Sequence, residues 1–167
     1  MSFQVNKRCG GSSGLAMVYV GLYSPTSVQR VVDFVKTVYA FSQKAQIVPV
    51  IVKPIGAAAQ IGIPEAFKVS VKLNKPFMVF PELGDALELL RPSEAYFYSD
   101  EGAELEATQI RQAQNGSLLI VFPSGESEPS KKELTGLKLV RLKDVPSQLP
   151  ALALLSIFMY KVFYQVT

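Results

Sequence analysis

The chain has no histidine and no tryptophan, and its single cysteine is Cys9. Those absences remove several chemistries at once. Zinc sites built from His and Cys, Ser-His-Asp triads and Cys-His dyads have no residues to use, and no metal site is expected. No disulfide can close within one chain, which predicts a reducing, cytoplasmic setting. Charge is also scarce, at 19% of residues against 49% hydrophobic, so composition excludes disorder for most of the chain. A length of 167 residues suits one core rather than two ordinary domains.

The charge that is present is unevenly spread. Net charge is +3, but bulk charge does not point to nucleic acid, because Lys7 and Arg8 belong to a leading segment. Between Arg30 and Lys75 the basic residues Arg30, Lys36, Lys44, Lys53, Lys68, Lys72 and Lys75 face only Asp33 and Glu65. Between Glu82 and Glu106 the balance reverses, with Arg91 the lone cation. Such a chain can present one basic face to an anionic partner; ordinary solvated helix faces are the plainer alternative. Residues 1–16 end in a Gly/Ser run and read as a flexible extension, with the domain spanning 17–167. No apolar stretch of a secretory leader precedes Met17, which is a candidate internal start.

From Met17 onward, strand-like runs alternate with helix-like stretches. Apolar, β-branched runs at 17–23, 47–52, 77–80, 95–98, 117–122 and 137–142 predict six strands. Pro49 cannot donate to a ladder, so the second strand is expected at an edge or with a bulge. Valines at 28, 31, 32, 35 and 38 give helical spacing after a Ser-Pro-Thr-Ser start. A second helix after Gly56 is interrupted by Gly62 and Pro64. Ser130 and Glu133 have capping-box spacing and predict a short helix there. Pro150 opens a final helix ending near Tyr164. The alternation predicts an α/β fold, a mainly parallel sheet with helices on both faces. Ligands then bind beyond the carboxyl ends of the strands, at the loops after Tyr23, Phe80, Phe122 and Leu142.

The segment 149–166 is strongly apolar, yet it holds Pro150, Ser156, Lys161 and Gln165 and is short of the ~20 apolar residues of a span. A membrane span is not expected. Its apolar residues instead serve two helix faces, one on the sheet and one on a second subunit, which predicts a homodimer through the C-terminal helix; a buried core helix is the alternative.

Ordinary nucleotide motifs are absent, since no G-x-G-x-x-G follows a strand and no Walker lysine follows a glycine-rich loop. Three other segments carry the functional reading. Residues 24–33, Ser-Pro-Thr-Ser-Val-Gln-Arg-Val-Val-Asp, resemble the Asn-Pro-x-Asn-x-Gly-x-x-x-Arg turn and helix of SPOUT methyltransferases, with Ser24 where many relatives have Asn. Residues 121–130, Val-Phe-Pro-Ser-Gly-Glu-Ser-Glu-Pro-Ser, are similar to that family's Gly-Ser-Glu-x-x-Gly-Leu loop, with Pro129 near an expected glycine. Residues 142–153 look like its C-terminal motif, with Ser147-Gln148-Leu149 in place of Ser-Leu-Asn. An archaeal SPOUT-like group is resembled through residues 26–34, 56–60 and 63–65, a group whose members sometimes carry a RecB-nuclease label. No strand here offers the Glu-x-Lys pattern a nuclease of that type needs to hold Mg²⁺.

The resemblance implies a C-terminal trefoil knot, otherwise very rare, and S-adenosyl-L-methionine (SAM) as cofactor. It implies methylation of tRNA or rRNA, at a ribose 2′-hydroxyl or a base. Arg30 and Glu126 are the implied catalytic residues, with Arg30, a carboxylate such as Glu126, or water left to take the proton. Phe80, Pro81 and Glu82, then Pro123, Ser124 and Gly125, then Leu142, Val145, Leu149 and Ala151 are the implied cofactor contacts. Two alternatives stay open: a SAM- or RNA-binding relative without catalysis, and an unrelated α/β nucleotide-binding or scaffolding domain.

Overall fold

Strands form where the apolar, β-branched runs stand in the sequence. The computed structural model describes residues 17–43, 45–112 and 116–165; the expected flexible extension 1–16 lies outside the described residues. The strands are β1 (Met17–Tyr23), β2 (Ile47–Val52), β3 (Met78–Phe80), β4 (Glu94–Leu105), β5 (Ser117–Pro123) and β6 (Lys138–Leu142). All pair in parallel within one sheet of order β3-β2-β1-β5-β4-β6.

Side-chain alternation along the strands splits the core into two layers. Val18, Val20, Leu22, Leu118, Ile120 and Phe122 pack with α1 (Val28–Phe41) and α5 (Ala151–Met159) on one face. Tyr23, Val50, Val52, Leu119 and Val121 pack with α3 (Leu83–Leu90) on the other. The whole of Leu118 to Phe122 is buried, at roughly 1.5–3 kcal/mol of transfer free energy for each large side chain. That two-sided burial is why β5 reads as an unbroken apolar run.

Several expectations change. β2 is not an edge strand, since β3 lies beyond it. Lys53 N–H donates to Phe80 O at 2.8 Å, so odd-numbered residues of β2 face β3. Pairing with β3 begins only at Val50, so the ring nitrogen of Pro49 points where no partner strand exists. The helix expected after Gly56, interrupted at Gly62 and Pro64, is a π-helical turn (Ala58–Gly62) running without a break into α2 (Ile63–Leu73). Pro64 sits in the first turn of α2, where its missing N–H costs little. Ser130 and Glu133 do form reciprocal capping bonds, Ser130 N–H to Glu133 Oε2 at 2.7 Å and Glu133 N–H to Ser130 Oγ at 3.2 Å. Only turns follow over 131–136, not the expected helix. A helix α4 (Ala107–Gln112) had no periodic signal. The chain after α5 continues as a π-helical turn to Tyr164. Among the described residues no helix is long and apolar enough to cross a membrane.

Candidate active site at the carboxyl edge of the sheet

The loops leaving β1 and β5 meet at the carboxyl edge because the two strands are neighbours in register from Met17↔Ser117 to Tyr23↔Pro123. Ser27 caps α1, its Oγ accepting from Arg30 N–H at 3.3 Å, and this sets Arg30 on the first turn, leaning over the edge. The Arg30 Nη1 donates to Glu126 Oε1 at 2.6 Å and to Ser124 O at 3.0 Å. Thr26 donates to Glu126 Oε2 from its amide at 2.7 Å and also from its hydroxyl. Donation by the Thr26 hydroxyl outweighs burial and, with the weaker help of the Thr26 amide and the Arg30 charge, holds the Glu126 carboxyl below the ordinary glutamate range. Glu126 is therefore ionised and fixed, and Arg30 keeps its remaining N–H groups for an anion.

Ser124 is buried and its hydroxyl donates to Ser24 O at 3.0 Å. Ser24 itself is fully buried in the left-handed conformation, φ 48°, and its Oγ has no partner among the described residues. Asparagine is enriched in that backbone region, which gives a local reason for the family's Asn at this place.

A second cluster lies on the other face of the same edge. Lys53, also left-handed at φ 52°, donates to Glu133 Oε1 at 2.8 Å and lies 3.9 Å from Glu82. Tyr23, buried up to its hydroxyl, donates to the same Glu133 Oε1 at 2.9 Å. The Lys53 ammonium, the Ser130 amide and the Tyr23 hydroxyl together bring the Glu133 carboxyl down to about 2. Burial and the adjoining carboxylate raise the Tyr23 phenol.

Between the middle of β4 and the segment leaving β5 is a cleft of about 370 Å³. Phe97, Pro123, Leu134 and Leu139 give it apolar walls, and Asp100, Glu101 and Glu128 give it an acidic rim. Gln148 N–H donates to Asp100 Oδ2 at 2.9 Å, and Leu142 N–H to the Tyr98 hydroxyl at 3.3 Å. The end of β6 and the loop after it are thus tied to the middle of β4.

The structure brings Arg30, Glu126 and Ser124 together and sets Pro123 in the cleft. Gly125 adopts φ +82° with open space where a Cβ would stand, so backbone can approach a ligand there. Val145 and Leu149 pack against the core, Ala151 is buried at the start of α5, and Leu142 lines a separate polar cleft with Lys143 and Asp144. Phe80, Pro81 and Glu82 are not brought to this group. β3 is the outer strand on the opposite side, with β2 and β1 between it and β5. Sheet order is invisible in the sequence, and it makes β4, not β3, the neighbour of β5. Thr26, Asp100, Lys53 and Glu133 were missed. Thr26 lay within the first motif, and its short hydroxyl side chain beside the arginine turn was the available signal.

Structures of known proteins share this fold. The methyltransferase AviRb of Streptomyces viridochromogenes, a SpoU protein solved with AdoMet, superimposes with TM-score 0.66 at 14% identity, over 89% of this chain and 60% of that one. A protein solved in connection with 2-OH methylation of C/U34 on tRNA gives TM-score 0.61 at 16% identity, over 89% and 95%. The architecture is that of the SPOUT methyltransferases. By sequence, the chain belongs to the family described as RecB-family nuclease (DUF2122), which matches residues 56–161. A protein of Aeropyrum pernix, provisionally named type II restriction enzyme ApeKORF2002P, is 34% identical over 140 residues, 83% of this chain and 88% of its own.

These names imply two different ligands. A divalent metal of a nuclease needs converging carboxylates or imidazoles, and among the described residues no group of three or more His, Cys, Asp or Glu could hold an ion. The donor set does not fit. A methyl donor that is apolar in part and carries positive charge fits the cleft, through its apolar side chains and its acidic rim.

Proposed function

We propose that this protein is a SAM-dependent RNA methyltransferase acting on tRNA or rRNA, at a ribose 2′-hydroxyl or a base. The observation that carries the reading is one loop, residues 123–129, with two faces. Pro123, Glu128 and Pro129 border the cleft, while Ser124 and Glu126 fix Arg30. Cofactor contacts are proposed from Pro123, Ser124 and Gly125, and from the loop and helix start at Leu142, Val145, Leu149 and Ala151. SAM bound there would supply an electrophilic methyl group. Arg30 holds the target phosphate or stabilises negative charge growing on a hydroxyl. Glu126, held ionised and three-fold bonded, is a positioning residue and not a base, so a departing proton goes to water.

The proposal includes the knotted tail. β6 stands at the outer edge beside β4, yet α5 returns to pack on α1 and β5, a path that supports threading beneath an earlier segment. It also includes a homodimer, supported by the outer stripe of α5, where Leu152, Ala153, Ser156 and Ile157 are half-exposed and Tyr160 is exposed. A cytoplasmic setting goes with an RNA substrate. The test is transfer of tritium from labelled SAM to bulk tRNA and rRNA, with calorimetric titration of SAM alone. Wild-type protein is expected to label RNA, and Arg30→Ala to lose about 10²–10³-fold in rate with SAM affinity kept. Binding without transfer would favour the non-catalytic relative; neither would end the methyltransferase reading.

A further inference from the structure

The segment between β5 and β6 is pinned at two places, and both pins have the same form. Glu126 occupies Arg30 on the α1 side of the sheet edge. Seven residues on, Glu133 occupies Lys53 on the α3 side. Arg30 opens α1 just after the β1 loop and Lys53 follows β2, and these two loops are joined by Ile55 N–H to Pro25 O at 3.0 Å and Ala58 N–H to Thr26 O at 3.2 Å, so the cations belong to one unit of the edge. The two carboxylates lie no more than about 25 Å apart by chain length alone.

A surface ion pair contributes little to stability by itself, and Lys53 is more than that. Its backbone is left-handed without being glycine, a conformation that persists only where surroundings enforce it and that concentrates at functional sites. Tyr23 extends from the buried layer so that its hydroxyl stands beside the ammonium, sharing one carboxylate oxygen with it. Ammonium plus hydroxyl is a donor set for a phosphate oxygen, and Glu133 now fills it. Lys53 keeps about a third of its side chain exposed, so a competing anion has access. The surrounding stretch 30–75 is the basic part of the chain.

Resting on the RNA reading above, we infer that Lys53 and Tyr23 form a second seat for an RNA phosphate, and that Glu133 occupies it until RNA displaces it. The Glu133 carboxylate thus stands in for a backbone phosphate, while Glu126 keeps Arg30 placed at the first seat. RNA binding lifts Glu133 from Lys53, frees that part of the segment, and couples substrate engagement to the loop that borders the cleft.

The test is binding of labelled unfractionated tRNA to the full chain across roughly 50–200 mM salt. Lys53→Gln is expected to weaken binding three- to tenfold and to reduce the salt slope by roughly 0.7–0.9, one phosphate contact. Glu133→Gln is expected to tighten binding by a similar factor, and Lys53→Arg to stay near wild type. Both single variants weakening tRNA binding alike, with an unchanged slope, would mark a purely structural pair and overturn the inference. If Glu133→Gln does not fold, the Lys53→Gln slope decides alone. Duplex DNA showing the Lys53 dependence while tRNA does not would also overturn it. A wild type that binds tRNA with this charge pattern but transfers no methyl group removes the methyltransferase reading and leaves the seat. One that methylates tRNA while Lys53→Gln binds normally removes the seat alone.

Discussion

At the scale of single residues, the carboxyl edge contains one group that spends stability and one that supplies it. The Ser24 hydroxyl is buried with no partner among the described residues, and an unsatisfied buried hydroxyl costs about 1–3 kcal/mol. Ser24→Ala removes it without changing the left-handed backbone demand, and is expected to raise stability by about 1 kcal/mol. The measurement is the denaturant midpoint at unchanged slope; a lower midpoint would mean that the hydroxyl has a partner. Glu133 works the other way. Its folded pKa of about 2 is depressed from the ordinary 4.5. A depressed carboxylate contributes stability that is present above the unfolded value and lost as pH falls through the folded one. Stability should therefore decline between pH 4.5 and about 2, and Glu133→Gln should flatten that part of the curve. An identical acid limb in the variant would assign the loss to other carboxylates.

At the scale of elements, β4 shows why part of the fold was legible and part was not. The apolar run at 95–98 announced a strand, but its continuation through residues 99–105 is acidic and lacks β-forming residues. What holds it is non-local. Glu94, Glu104 and Glu106 pair with Lys138, Arg141 and Lys143 at 3.5, 3.2 and 3.3 Å. The two strands slip between Tyr98 and Ala103, both of which oppose Val140. Gly102 lies in that slip, and a Cβ there would stand 2.5 Å from Val140 N. Gly102→Ala is expected to cost about 2 kcal/mol, whereas Gly84→Ala, with nothing within 4 Å, should cost nothing. Equal midpoints for the two in urea would refute the close crossing. Strands with local apolar signals, the α1 start and the Arg30–Glu126 loops were all readable because short-range chemistry specifies them. Sheet order was not, and it moved Phe80 to Glu82 away from the site while bringing in Asp100. The second cluster was hidden for the same reason, since Tyr23, Lys53 and Glu133 meet only through strand order.

At the scale of the whole molecule, the sheet separates two kinds of charge. The acid-rimmed cleft lies between β4 and β5, and the cations Arg30 and Lys53 follow β1 and β2, so a positively charged donor and a polyanionic acceptor would approach one edge from different sides. Strand β4, the segment after β5 and strand β6 border the cleft from three separated stretches of chain, and the Gln148 to Asp100 bond ties the loop after β6 to β4. A ligand bridging such stretches stabilises the native state only, by about 2.7 kcal/mol at a hundredfold excess over its Kd. For a domain of this size that corresponds to a rise in Tm of roughly 5–10 °C. SAM should therefore raise the melting temperature with increasing concentration, and Gly125→Val, which places a branched side chain at the open approach, should abolish the rise while lowering the unliganded Tm only by the cost of its positive φ. A wild-type melting curve that stays put at millimolar SAM would show that the cleft does not take the methyl donor, and the fold would then be shared with the methyltransferases without their cofactor.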